Sequence, residues 1–357
     1  MAEHALVFVH GMGEYNSTWH EGAWAVLRTA YGEYAAFAGT ALEDSVTPIP
    51  TVYSDFFTKL RDQWKSDVAA IKGVLGNELE EGDKSERTRI EKEIDNVANK
   101  IGAGADTFAW THAMDVVLYR FFSLTRQKTN VSLAKQIVEK ATTMGFRDWN
   151  VVAHSLGTAV LHNTLHALYN TELVPGKPPL KAVGTRPKVL AMVANVSRVL
   201  QLPGAKVFSS KVAPGSALLG RLCETYLNIR HKWDPFTIPQ PFLPDPDWPD
   251  VPTFHSKRYQ HIQPSHLNLR TYMDVHDLEH YLKSPRVHVP IFRGIFGEAM
   301  IPDDEFAAAC DRFDSGVLDA NTNAIRDELD SLLPAGSDSW IMLLRMLFKL
   351  VEKGEAP

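Results

Sequence analysis

Apolar positions along the chain fall into two rhythms. The first is a set of short continuous runs: Leu6-Val7-Phe8-Val9, then Trp149-Asn150-Val151-Val152-Ala153, then residues 188–194. Their length and β-branched content suit strands covered on both faces, as in a parallel sheet. Residues 225–230 and 267–272 repeat the pattern, the latter expected as the last strand. Residues 47–53 also look extended, but Pro48 and Pro50 cannot donate to a ladder, which places this strand nearer a sheet edge. The second rhythm has the spacing of an amphipathic helix and predicts helices over about 19–37, 130–144 and 155–169. Gly145 follows the second of these, where a glycine readily takes the left-handed C′ conformation. Strands alternating with helices imply an α/β fold with a mainly parallel central sheet and flanking helices.

One block breaks the alternation. Phe57, Leu60, Trp64, Val68, Ile71 and Leu75 recur at spacings of three and four, and so do Ile90, Ile94, Val97 and Ile101. A charged turn beginning at Gly76 separates the two stripes, which suits an antiparallel helical hairpin. The chain is therefore expected to divide into a core of residues 1–54 and 113–300, a helical cap or lid over 55–112, and a helical extension over 301–357 packed on the core. Within that extension residues 340–351 are apolar nearly all round, with Arg345 and Lys349 one turn apart. Docking on the protein's own body is the first reading; a lipid surface or self-association is the second.

The strand ending at Ala153 runs into Ala153-His154-Ser155-Leu156-Gly157 and then a helix. A serine hydroxyl is a weak nucleophile unless a base takes its proton and a third group orients that base. It must also protrude from a sharp strand-to-helix turn, where only small residues fit beside it. Ala153 and Gly157 occupy those small positions, and the first is alanine where glycine is usual. A second motif, His10-Gly11-Met12-Gly13, closes the first expected strand. A tetrahedral intermediate needs two preorganised N–H donors for its oxygen, and Met12 and Leu156 are the natural pair.

With these motifs the chain resembles an α/β-hydrolase of the lipase and serine-esterase branch. The likeness covers the sheet-forming segments over most of residues 5–300 and is specific at residues 10–13 and 153–157. With the first strand starting near residue 5, the antiparallel strands that open many relatives are expected to be missing. The resemblance implies the chain order Ser, acid, His. It places the acid after the strand over 225–230, at Asp234 in Trp233-Asp234-Pro235-Phe236, with Asp274 and Asp277 as rivals. It places the base after the last strand. His276, at the entrance of a helix over 277–282, is preferred; His280, one turn on, is the alternative, and His266 is weaker. His154 beside the nucleophile is expected to be structural. The implied activity is hydrolysis of a small-molecule or lipid acyl ester through an acyl-enzyme, without metal or organic cofactor. Thioester, amide and phospholipid cleavage would use the same machinery. An inactive, hydrolase-like scaffold is the alternative from another class.

Composition narrows the rest. A net charge of −6 over 357 residues offers no basic surface for nucleic acid. Cys223 and Cys310 are too few and too far apart for a disulfide framework or a zinc cluster, and are expected to be free thiols. The first residues lack the basic start and long apolar run of a signal peptide, and no run approaches ~20 apolar residues. A cytoplasmic protein is the expectation.

Overall fold

The structure, a computed structural model, describes residues 3–13, 15–55, 57, 59, 119, 123–143, 148–200, 212–217, 220–231, 234, 236–237, 241–244, 258–264 and 276–316. Six strands form one sheet: β1 (His4–Val9), β2 (Val46–Thr51), β3 (Asp148–His154), β4 (Pro187–Val193), β5 (Thr225–Ile229) and β6 (Tyr259–Ile262). All five pairings are parallel, in the order β2-β1-β3-β4-β5-β6. Among the described residues the helices of more than one turn are α1 (Glu21–Tyr31), α2 (Ser123–Thr143), α3 (Leu156–Asn170), α4 (Leu278–Lys283), α5 (Pro285–Phe296) and α6 (Asp303–Gly316). This is an α/β architecture with helices on both faces of a parallel sheet.

The two-residue period of the strands sorts their side chains into two cores. Ala5, Val7 and Val9 of β1 face one way, with Val151, Ala153, Leu190 and Met192 of β3 and β4; α2 covers them with Leu133 and Ile137, α3 with Val160, Leu161 and Leu165. Leu6 and Phe8 face the other way, with Val152, Val189 and Ala191, under Trp24 and Leu27 of α1 and Val287, Ile291 and Phe292 of α5. Burying both faces explains why β1, β3 and β4 read as unbroken apolar runs.

The faces follow from handedness. The chain passes from β1 through α1 to β2 in one direction across the sheet, then returns through α2 past β1 to β3, and continues through α3 to β4. Right-handed crossovers in opposite directions put α1 on one face and α2 and α3 on the other. The direction therefore reverses between β1 and β3. In open α/β sheets a reversal of this kind opens a crevice beyond the strands' carboxyl ends, and that is where ligands bind.

Three elements differ from the sequence expectation. The first helix ends at Tyr31 instead of continuing to residue 37, because Tyr34 turns extended (φ −102°, ψ 136°). That turn lets the buried Tyr34 hydroxyl reach His288 Nε2 at 2.6 Å. Helix α2 starts at Ser123, seven positions before the apolar stripe announces it. The sixth strand is β6, at Tyr259–Ile262, which the pattern did not mark. Among the described residues strand β2 does lie at an edge. Residues 267–272, Gly145 and residues 340–351 lie outside the described residues, as does the expected hairpin except for Asp55, Phe57 and Lys59. Both cysteines are buried and unpaired. Among the described residues no helix is long and apolar enough to cross a membrane.

Candidate active site

The carboxyl ends of β1 and β3 lie side by side at this reversal. Beyond β3 the chain turns into α3 through Ser155, at φ 52° and ψ −127°. Among the described residues only Ser155 and Ala194 combine a side chain with positive φ. Such a conformation is costly for a side-chain-bearing residue, so it must be held. Ser155 N–H donates to Val193 O at 3.0 Å, and Ser155 O accepts from Thr158 N–H at 2.9 Å and Thr158 Oγ1 at 2.7 Å. The Thr158 hydroxyl oxygen in turn accepts Val196 N–H at 3.0 Å, joining the turn to the end of β4.

The small residues in both motifs have steric causes. A Cβ on Gly157 would overlap the carbonyl oxygen of His10 and lie 2.8 Å from that of Val9. A Cβ on Gly11 would come within 3.0 Å of Ser155 Cβ and 3.1 Å of His154 Nδ1. The loop after β1 and the turn after β3 thus pack backbone against backbone. Met12, in the first loop, is buried. Leu156 is the first residue of α3, so its N–H has no acceptor within the helix.

The loop after β1 is held by its own histidine. His10 stacks between Tyr15 and Tyr53, with ring centroids 4.4 and 3.9 Å away. Tyr53 N–H donates to His10 Nε2 at 3.1 Å, so the ring proton sits on Nδ1 and donates to Gly11 O at 2.9 Å. Burial pushes the His10 pKa down to about 3, which keeps the ring neutral. The Tyr53 hydroxyl donates to His10 O at 2.6 Å, clamping the same turn.

Asp234 and His276 reach Ser155 from loops beyond β5 and β6. Asp234 is fully buried. Its Oδ1 accepts Phe236 N–H at 3.0 Å and its Oδ2 accepts the Tyr281 hydroxyl at 3.0 Å. His276 Nδ1 lies 3.0 Å from Oδ1 and 2.9 Å from Oδ2 of the same carboxylate. With that side committed to donation, His276 Nε2 is left to accept, and it stands 2.8 Å from Ser155 Oγ. Phe236 covers the imidazole, its ring centroid 4.2 Å away. His154 Nε2 bonds the His276 carbonyl oxygen at 2.6 Å, so the residue beside the serine anchors the backbone of the histidine. Burial lowers the His154 pKa to about 4, with the neighbouring His276 adding to the effect.

Of the residues singled out from sequence, the structure brings Ser155, Asp234 and His276 into one hydrogen-bonded line, with His10 and Gly11 in the loop after β1, Ala153 near the end of β3 and Gly157 in the first turn of α3. The imidazole that reaches Ser155 belongs to His276. His280 instead supplies a backbone N–H to Asp277 Oδ1, the cap of α4. Asp274 and His266 lie outside the described residues. Tyr281 and Tyr53 escaped sequence reasoning: each acts on residues more than forty positions away, and nothing local marks either. Comparison with known proteins finds no matching family model, no matching curated protein and no matching solved structure.

Proposed function

We propose that the chain is a serine hydrolase of the α/β-hydrolase superfamily, in the lipase and serine-esterase branch, cleaving carboxylic esters through an acyl-enzyme. The observation that carries the reading is the 2.8 Å approach of His276 Nε2 to a serine hydroxyl set on a strained strand-to-helix turn. Its support is the carboxylate on the far side of the same imidazole. Fold alone would carry no activity.

In this reading Ser155 Oγ attacks the ester carbonyl carbon as its proton passes to His276 Nε2. The imidazolium that forms faces Asp234, whose two oxygens hold Nδ1–H and fix the tautomer. The carbonyl oxygen, now negative, is received by the N–H groups of Met12 and Leu156. Collapse of the tetrahedral intermediate breaks the carbon–oxygen bond to the alcohol, which leaves with the proton from Nε2. Water then repeats the sequence on the acyl-enzyme, with His276 as base, releasing the acid and restoring Ser155. Thioesters and amides would pass through the same steps. The acyl group would be set by the residues over the crevice, where residues 55–112 are proposed to form a cap.

The test is a chain-length series of p-nitrophenyl acyl esters assayed on wild type and Ser155→Ala, with fluorophosphonate labelling beside it. Wild type should turn over and label, and Ser155→Ala should do neither. Undiminished labelling of the variant would sink the assignment of the nucleophile.

A further inference from the structure

The geometry points to Tyr281 as a positioning residue that sets the hydrogen-bonding strength of Asp234 toward His276; this rests on the hydrolase reading of the site. Tyr281 lies in α4 and is completely buried. Its hydroxyl oxygen stands 2.7 Å from His231 N and 3.0 Å from Asp234 Oδ2. The first contact fixes the polarity of the second. A backbone N–H only donates, so the hydroxyl accepts from His231 and its single proton is directed at Asp234 Oδ2. The acid's two oxygens are then shared among three donors: Phe236 N–H, Tyr281 O–H and His276 Nδ1–H.

Two of those donors belong to one short stretch of chain. His276 stands two residues before α4 and Tyr281 is its fourth residue, so the helix that follows the base also grips the acid. A donor on a carboxylate disperses its charge and makes it a weaker acceptor toward any other donor. Tyr281 therefore restrains the pull of Asp234 on the His276 Nδ1 proton while holding the carboxylate in position beside it. Among the described residues, the other titratable or charged groups facing this pair are His154 beside Ser155, Asp277 at the head of α4, and His231 and Arg230 just after β5. Removing the Tyr281 hydroxyl leaves all of these in place.

The test compares wild type with Tyr281→Phe and with site-specific 3-fluorotyrosine at position 281, whose more acidic hydroxyl is a stronger donor. Two readouts are used: the NMR resonance of the His276 Nδ1 proton, and the pH dependence of kcat/KM on a short p-nitrophenyl ester. In Tyr281→Phe the carboxylate becomes a stronger acceptor. The proton resonance should move downfield, the acid limb of the profile should move to higher pH, and kcat should fall about tenfold with KM little changed. The fluorinated protein should move the resonance and the acid limb in the opposite directions, and it retains the hydroxyl should the phenylalanine variant fail to fold. A purely structural tyrosine would lower stability and leave resonance and limb where wild type has them; that outcome overturns the inference. If wild type proves inert toward esters while the resonance still moves as stated, the hydrolase reading fails and the coupling of Tyr281 to Asp234 stands.

Discussion

At Ser155 the backbone takes up φ 52° and ψ −127°, and the site depends on it. A residue held in such a region stores about 1–3 kcal/mol, released if the side chain is removed. Ser155→Gly should therefore unfold at higher urea than Ser155→Ala, by about 1 kcal/mol, although on the proposed reading neither should hydrolyse esters. Coincident unfolding curves would show that the turn is not strained. Two positions further on, the bulk constraint has the opposite sign. Gly157→Ala drives a methyl into the carbonyl oxygens of His10 and Val9, both on backbone that cannot swing aside. It should cost about 1–3 kcal/mol and depress kcat, since Leu156 N–H shifts with it. Gly32→Ala, at φ −71° with its nearest neighbour 3.7 Å away, is the matched control and should be neutral or stabilising.

Helix α4 has six residues, yet the site leans on it through Tyr281 and through His276 just ahead of it. Too short to stand by propensity, it relies on its cap, Asp277 Oδ1 accepting His280 N–H at 3.1 Å. Asp277→Ala should cost about 1 kcal/mol of stability, and kcat should fall more than KM changes. Kinetics at saturating ester, beside a thermal melt, would separate those effects. What could be read from sequence also divides by element. Ser155, Asp234 and His276 were legible because each follows or precedes an element with its own local signal. Strand β6 was not, for it is four residues long, and its central Gln260 is half-buried and His261 exposed, leaving no apolar run. The early start of α2 was hidden by the polar turns Thr125 to Lys128, which no stripe distinguishes from loop. Tyr281 was hidden for a deeper reason, since its meaning lies in a contact 47 positions away.

Across the whole molecule, three buried histidines carry a common pH dependence. His10 is pushed down to about 3, and His154 and His288 to about 4, each by burial. His288 donates from Nδ1 to Leu282 O at 2.8 Å, and as a neutral ring it accepts the Tyr34 hydroxyl at Nε2. The unfolded chain, with ordinary histidines near 6.5, takes up protons that the folded chain refuses. Their contribution to stability is therefore complete above about pH 6.5 and lost as pH falls toward about 4. Urea midpoints measured downward from neutral pH should drop by the equivalent of several kcal/mol, and His288→Gln should flatten part of that slope. A flat profile through this range would mean that these rings accept protons without unfolding. Among the described residues the sheet ends, on the β2 side, at a margin where Pro48 and Pro50 share one parity opposite Leu6 and Phe8. In a parallel strand alternate residues bond to alternate sides, so both missing N–H groups fall on the side away from β1. Another extended chain arriving there finds carbonyls but almost nothing to donate in return, and two copies cannot zip into a continuous twelve-stranded sheet along that rim.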